Sequence, residues 1–417
     1  MDKSVTAPSS TGTTVGKIST TSSVAAERAL HLDALRGLAA MIVVFAHFLG
    51  AFHPWAVFSN SASFASAFEQ RYSWEAWLHW PPLGLFTAGH FAVCLFFVLS
   101  GYVLCASYIG KPGQGWRIAG AIVKRPFRLA GLALMSLLIG AWLWSGDWLL
   151  HQEVGTLAGS SGWLEKFWVG QFSWSDFGQK LIRGQAGSEY NPPLWTIKIE
   201  VIGSFLVFFL LLAINWMPQW ARLIIMAALI VLLNGTYYEG FVIGMLLADV
   251  FRSRAEVKWS GGVAIWIVSA VAIALASYPY YSVRPPLPGL VTGETTLSMV
   301  SASIVFVVVH RSLLWRRSLT TPVLIKLGEL SYAIYVLHFL IIHTLTASLV
   351  LNLTERIGFG WASLIAGVLS LPVLFGLSAL ATRYVDRPCI DFGRWIESIF
   401  YRLVRVRPHL QSGSKKP

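Results

Sequence analysis

Two side chains that can do chemistry, Arg36 and His47, lie in the apolar stretch LHLDALRGLAAMIVVFAHF at residues 30–48. Charged and titratable groups inside a bilayer are costly and usually functional. In an α-helix, the eleven residues from Arg36 to His47 make about three turns and rise roughly 16 Å, so the two side chains share a face. Arginine binds phosphate through two parallel hydrogen bonds, and a neutral histidine can act as a general base. The pair therefore fits a ligand with phosphate at one end and a reactive group at the other.

Coenzyme A is such a ligand, because its pantetheine arm separates the diphosphate from the thioester. The alternative is structural: Arg36 extends to the membrane interface, and His47 is a hydrogen-bonded residue of the helix packing. Arg125 and Arg128 in KRPFR share one face at the start of a helix. They are either ordinary basic residues beside a membrane span or, together with Arg36, a phosphate site of three arginines.

The elements that must position these residues are predicted to be membrane-spanning helices. The chain of 417 residues is 55% hydrophobic and only 12% charged, whereas a soluble domain carries about a quarter charged residues. Its apolar segments approach the roughly 20 residues that a span needs. The segments are 33–53, 84–106, 129–148, 194–214, 221–235, 236–251, 261–278, 296–314, 328–350 and 361–381. The sequence thus predicts an all-α, polytopic transmembrane helical bundle of about ten spans, of which 221–235 and 236–251 are the least secure crossings.

The basic residues predict the orientation of the bundle. Of the 32 Lys and Arg residues, 24 fall on the N-terminal side of these spans, six fall on the opposite side, and Arg36 and Lys198 lie within spans. By the positive-inside rule, both termini are cytoplasmic and the chain is a multi-pass protein of the cytoplasmic (inner or plasma) membrane. The net charge of +12 then reflects topology, with the lipid bilayer and no nucleic acid as the partner.

Three regions follow from composition. Residues 4–23 contain 12 Ser or Thr, which predicts a disordered cytoplasmic tail over 1–30. The transmembrane domain covers 31–390, and a basic cytoplasmic tail covers 391–417. The ten histidines and three cysteines show no metal-ligand spacing, so no metal site is predicted.

Five sequence blocks together resemble the membrane acyltransferase-3 family over about residues 31–390. They are LDALRGLAAMIVVFAHF, CLFFVLSGYVL, RPFR, PPLWTIKIEV and LGELSYAIYVLHF. The resemblance implies a ten-span enzyme that moves an acyl group, usually acetyl, from cytoplasmic acyl-CoA to a hydroxyl of an extracytoplasmic sugar or polysaccharide of the cell envelope. It also implies that Arg36 and His47 are the essential pair, with His47 catalytic, and that Arg125 and Arg128 help to bind the acyl donor.

The block around the fourth span departs from the family pattern. It usually reads Trp-Ser-Leu followed by a Glu, whereas here Trp195 opens the run WTIKIE, so Lys198 is unusual and Glu200 keeps its place. Glu200 lies about 9 Å into a helix entered from the outer side. It is predicted to orient the acceptor or assist proton transfer, and the alternative is an ion pair. Trp195 is predicted to line the substrate path.

Ser331, Tyr335 and His338 form a polar stripe at i, i+4 and i+7 on an apolar helix. The stripe either lines an acyl tunnel or hydrogen-bonds to a neighbouring helix. At Ser100 and Gly101, close helix approach is the expectation. Aromatic residues of the outer loops fit either sugar stacking or a membrane-interface belt. They are Trp55, Trp74, Trp77, Trp80, Trp163, Trp168, Trp174 and Tyr190.

The function expected from these observations is transmembrane O-acyl transfer, with O-acetyl transfer as the first form to test. His47 would be the general base, Glu200 an assisting carboxylate, and acetyl-CoA the co-substrate. The acceptor would be an extracytoplasmic glycan or glycolipid. The alternative is a glycan or lipid transporter, or flippase, in which the buried pair Arg36 and His47 relays protons or gates a path.

Overall fold

The structure is a computed structural model, and it describes residues 19–59, 67–253, 262–278 and 294–404. These residues form helices and connecting loops, and none of the described segments is a β-strand. The helices are α1 (Ser19–Phe52), α2 (Pro54–Phe58), α3 (Gly89–Cys105), α4 (Gly115–Ser145), α5 (His151–Ala158), α6 (Ser161–Leu164), α7 (Trp174–Ile182), α8 (Trp195–Ile214), α9 (Gln219–Leu232), α10 (Tyr238–Ser253), α11 (Val263–Ala276), α12 (Glu294–Arg311), α13 (Leu313–Leu319), α14 (Pro322–Ile341), α15 (Ala347–Ile357), α16 (Phe359–Ala381) and α17 (Arg387–Leu403).

Helical length and apolar composition identify the candidate membrane spans. Five stretches in the described part of the chain are long and apolar enough to cross a membrane: Leu30–Phe52, Gly115–Ser145, Pro192–Ile214, Pro322–Ile357 and Phe359–Leu403. Shorter apolar helices cover Gly89–Cys105, Gln219–Leu232, Val263–Ala276 and Thr295–Arg311. The prediction of an all-α helical membrane protein is confirmed. The number of crossings and the side on which the termini lie stay predictions.

Several helices extend beyond the segments that hydropathy predicts. Helix α1 begins at Ser19, whereas the predicted span begins at residue 33. Helix α4 begins at Gly115, whereas the predicted span begins at residue 129. Charged side chains lower the hydropathy of these first turns without breaking the backbone hydrogen bonds. A π-helical turn, Ile342–Thr346, joins α14 to α15, and a second, Thr382–Asp386, joins α16 to α17. Residues 1–18 and 405–417 of the predicted tails lie outside the described residues.

Glycines bring α3 against α10. A Cβ on Gly101 would overlap the backbone oxygen of Phe241, and a Cβ on Gly244 would overlap that of Val98. Such small residues let helix backbones approach closely inside a membrane. The expectation of close helix approach at Gly101 is therefore confirmed, and the contact fixes the neighbouring Ser100.

A buried polar network holds the C-terminal end of α1. The Nδ1 atom of His53 lies 3.0 Å from Oε1 of Glu75, and its Nε2 atom lies 3.0 Å from Oγ of Ser363 in α16. The second carboxylate oxygen of Glu75 accepts a hydrogen bond from the backbone N–H of Arg71. His53 and Glu75 are only 3% and 1% exposed, so this network ties the loop after α2 to two long helices.

Candidate active site

Helices α1 and α14 run side by side in the same direction and carry most of the candidate residues. Contacts join Gly37 to Gly328 and, ten residues further along both helices, His47 to His338. A Cβ on Gly37 would lie 2.6 Å from the backbone nitrogen of Gly328, so glycine is needed for this approach. Because the register is the same at both points, the two helix faces stay in contact over about 15 Å.

His47 and His338 form a hydrogen-bonded pair. The Nδ1 atom of His47 lies 2.8 Å from Nε2 of His338, and Nδ1 of His338 lies 3.2 Å from the carbonyl oxygen of Ile334. A carbonyl oxygen only accepts hydrogen bonds, so Nδ1 of neutral His338 carries the proton and its Nε2 is an acceptor. Nδ1 of His47 must then donate, which leaves Nε2 of His47 unprotonated. That tautomer is the one that a general base requires.

Aromatic rings surround this pair. The ring of Trp163, in α6, lies nearly parallel to that of His47 with a centroid separation of 6.1 Å, and Phe339 meets His47 edge-on at 5.1 Å. Gly50 makes room for the indole, because a Cβ there would lie 3.1 Å from the ring of Trp163. His338 is fully buried and His47 is half-buried, so the aromatic rings cover the pair and leave part of His47 accessible.

The predicted phosphate-binding arginines meet in one cavity of about 500 Å³ towards the N-terminal end of α1. Arg36, Arg125 and Arg128 all line it. Four arginines and four carboxylates in total face this space: Arg36, Arg125, Arg128, Arg387, Asp33, Glu200, Glu329 and Asp386. The formal charges of these side chains cancel, so the cavity holds its cations without a large net charge.

Glu200 belongs to this cavity. Its Oε1 atom accepts hydrogen bonds from Oγ of Ser100, at 2.8 Å, and from Nη2 of Arg125. Nε of Arg125 donates to Oγ of Ser204, one turn further along α8. The ion pair that the sequence left open for Glu200 is therefore present, with Arg125 as its partner. The carboxylate is not in hydrogen-bond contact with His47, and its catalytic role stays a prediction.

Arg36 and Arg128 differ in their partners. Nη1 of Arg36 donates to Oδ1 of Asp33 at 2.8 Å. Arg128 is exposed to the cavity and makes no hydrogen bond or ion pair with any residue that the structure describes. Its guanidinium is therefore available to an incoming anion without displacing a carboxylate.

A second cavity, of about 250 Å³, lies on the other side of Arg125 and Arg128. Lys124 and Arg394 also line it, and none of its lining residues is acidic. Lys124 pairs with Glu397 at 2.9 Å, outside the lining. The lining of the second cavity therefore carries more net positive charge than that of the first, and Arg125 and Arg128 line both cavities.

The polar stripe of α14 lies between the arginines and the histidine pair. Ser331 and Tyr335 line the larger cavity, whereas His47 is not among its lining residues. The hydroxyl of Tyr335 is hydrogen-bonded to that of Thr196 at 2.8 Å, and its ring centroid lies 5.8 Å from that of His338. Tyr335 therefore forms the end wall of the cavity nearest to the histidines.

Trp195 and Lys198 lie outside this arrangement. Trp195 is 39% exposed and packs on Tyr237, with ring centroids 5.1 Å apart, and it does not line the cavity. Lys198 is exposed on the same helix. Within the described ranges, no group of three or more His, Cys, Asp or Glu side chains is placed to hold a metal ion.

The sequence did not predict several contacts of the candidate site. His338 was predicted as a lining residue, but its pairing with His47 depends on the register of two helices 291 residues apart. Lys124 and Arg394 come together only because α17 packs on α4. A single sequence carries no signal for either contact.

Comparison with known proteins identifies the chemistry of this architecture. The family described as "Acyltransferase domain" matches residues 30–383. Acyltransferase clz18 of Cochliobolus lunatus is 26% identical over 75% of this chain and 82% of its own. O-acetyltransferase PaAT-1 of Phomopsis amygdali is 23% identical over 90% of this chain and 85% of its own. Nodulation protein 10 of Rhizobium leguminosarum bv. viciae is 24% identical over 72% of this chain and 81% of its own. No solved structure matches the chain.

Proposed function

Because the chain belongs to the membrane acyltransferase-3 family, we propose that it transfers an acyl group from acyl-CoA to a hydroxyl of an extracytoplasmic glycan or glycolipid. The observation that carries this proposal is the hydrogen-bonded pair of His47 and His338. It leaves Nε2 of His47 as an acceptor about 16 Å along the helix from Arg36. An arginine cavity at one end and a base at the other match the two ends of acyl-CoA.

The donor binds from the side of the arginines. Its diphosphate pairs with Arg128, which is free to accept it, and with Arg36 and Arg125, which exchange their carboxylate partners for phosphate. The phosphorylated nucleotide occupies the second cavity, where Lys124 and Arg394 add positive charge. The pantetheine arm then runs through the larger cavity towards Tyr335 and carries the thioester to His47.

His47 performs the proton transfers of the reaction. Its Nε2 atom takes the proton of the acceptor hydroxyl as the oxygen attacks the thioester carbonyl. The carbon–sulfur bond then breaks, and the departing thiolate receives that proton from His47. While His47 is an imidazolium, its Nδ1–H remains hydrogen-bonded to His338, which stabilises the positive charge. The acyl ester and the free thiol of CoA are the products.

Orientation follows from the distribution of basic residues. Placing the more basic side in the cytoplasm puts the arginine cavity within reach of cytoplasmic acyl-CoA. It also puts Trp163, above His47, on the side of the acceptor. The name of the Phomopsis relative, an O-acetyltransferase, supports a hydroxyl acceptor and acetyl-CoA as the first donor to test. We accordingly assign the protein to the cytoplasmic membrane.

Inside-out membrane vesicles test the proposal. Acetyl-CoA labelled on the acetyl group is added to vesicles that carry wild-type protein, His47→Gln or the control His79→Gln. The control alters a histidine whose ring packs on Trp55, remote from the site. We expect label in the glycan or lipid fraction from wild type and the control, and none from His47→Gln. Labelling by His47→Gln at the wild-type rate would refute the proposal, whereas flux that needs an ion gradient and no acyl-CoA would favour a transporter.

A further inference from the structure

A third cavity lies against His338, the hydrogen-bond partner of His47, on the side of α16. It has a volume of about 130 Å³ and is formed between α1, α14 and α16. Most of its lining is aliphatic or aromatic, and it includes Phe48 of α1 and the outward-facing Leu364 and Val368 of α16, which are 53% and 57% exposed. It is separate from the arginine cavity, and the proposed phosphate contacts do not involve it.

The few polar groups of this lining are already paired. The hydroxyl of Thr346 donates to Oγ of Ser370 at 2.8 Å, and the hydroxyl of Ser370 donates to the carbonyl oxygen of Ala366. Both ring nitrogens of His338 are occupied by His47 and Ile334. The cavity therefore offers no free hydrogen-bonding group to a polar ligand. A cavity with an apolar lining and no free polar group favours hydrocarbon over water.

We propose that this cavity binds the hydrocarbon chain of the acyl group that is transferred, and that it makes the protein competent for acyl chains longer than acetyl. The inference rests on the proposed function, because it requires the thioester carbonyl to lie beside His47. The thioester has two sides, and the pantetheine arm approaches through the cavity that ends at Tyr335. The acyl chain must leave on another side, and the cavity against His338 is apolar and adjacent.

The volume of the third cavity limits the length of the acyl chain that it can bind. Dry cavities of roughly 150 Å³ accept benzene, which has six carbon atoms. A cavity of about 130 Å³ is close to that size, so its capacity corresponds to about four to six carbons. Butanoyl and hexanoyl groups would fill it, whereas acetyl would leave most of it empty.

The absence of a side chain at Gly367 keeps part of the third cavity open. A Cβ at this position of α16 would lie 3.0 Å from two ring carbons of Phe48, so a larger side chain must enter the cavity or displace that ring. Gly376 lies on the same helix, where a Cβ would meet no atom within 4 Å. The same substitution at these two glycines changes composition and helix propensity equally, but it alters the cavity at Gly367 only.

Donor selectivity tests the inference. Acetyl-, butanoyl-, hexanoyl- and octanoyl-CoA are supplied to membranes carrying wild type, Gly367→Leu, the control Gly376→Leu or the enlarging variant Phe48→Ala. Each methylene group buried in an apolar site changes kcat/KM by about four-fold. We expect wild type to use butanoyl- and hexanoyl-CoA. Gly367→Leu should lower the ratio of hexanoyl to acetyl transfer at least ten-fold, and Phe48→Ala should raise the use of octanoyl-CoA.

The other outcomes are distinguishable. Acetyl transfer with an unchanged chain-length profile in both Gly367→Leu and Phe48→Ala would overturn the inference and leave the proposed function intact. Sensitivity of the variants to the lipid chain of the acceptor, with none to that of the donor, would assign the cavity to the acceptor and overturn the inference as well. Absence of transfer from every acyl-CoA by wild type would overturn both.

Discussion

Substituting His338 while keeping His47 isolates the contribution of the hydrogen bond between them. In the proposed mechanism, His47 becomes an imidazolium and donates its Nδ1–H to Nε2 of His338 across 2.8 Å. A hydrogen bond to a charged group contributes about 1.5–3 kcal/mol. At 1.36 kcal/mol for each factor of ten, its loss lowers kcat by about 10- to 150-fold. We expect His338→Phe to show this decrease, with a smaller one in His338→Gln, because the glutamine amide oxygen can accept the same proton.

The assay measures kcat and KM for acetyl-CoA separately in membrane vesicles, with protein amounts equalised. KM should change little, because His338 lies far along the helix from the arginines that bind the donor. Wild-type kcat in His338→Phe would refute this account of the pair.

The remaining predictions concern the arginine cavity and the helix packing. Arg128→Ala should raise KM for acyl-CoA about ten-fold or more, because a charge-assisted hydrogen bond is lost. Arg128→Lys keeps the charge and should show a smaller increase in KM. An unchanged KM of Arg128→Ala at low and high salt would contradict this prediction. Gly37→Leu should separate α1 from α14 at Gly328 and lower both thermal stability and activity, which melting of the purified protein would detect. His53→Ala leaves the buried carboxylate of Glu75 with the hydrogen bond from the backbone N–H of Arg71 and should cost about 1–3 kcal/mol of folding stability, whereas a Tm within a degree or two of wild type would show that water replaces the imidazole.

Helical periodicity brought together part of the candidate site because that part lies on single helices. Arg36 and His47 share a face of α1, and Arg125 and Arg128 line the same cavity as Arg36. Hydropathy located the helices but underestimated α4, since a window average falls where charged residues occur even though the backbone remains helical. The structure shows those charged turns to be the ones that form the second cavity.

A single sequence does not predict which side chains of different helices contact each other. The pairing of His47 with His338 depends on glycines that set the register of α1 and α14, and neither glycine is distinctive by itself. The partner of Glu200 could not be chosen among the many basic residues, and only the fold brings Arg125 to it. Sequence patterns define the faces of helices, whereas the choice of which faces meet depends on packing of side chains distant in the chain.

The carboxylates of the arginine cavity explain how a phosphate site can exist inside a membrane protein before the ligand arrives. A charge at the centre of a bilayer costs about 2.5–3.5 kcal/mol or more, and Arg125, although nearer one membrane face, has a largely buried side chain that needs a compensating charge. Asp33 and Glu200 remove much of that cost by pairing with Arg36 and Arg125. Phosphate competes for the same guanidinium groups, so donor binding must loosen these pairs. Glu200 then becomes a stabilising partner of the empty site, and Glu200→Gln should tighten donor binding and lower stability while acyl transfer continues, whereas loss of an essential catalytic carboxylate would abolish transfer.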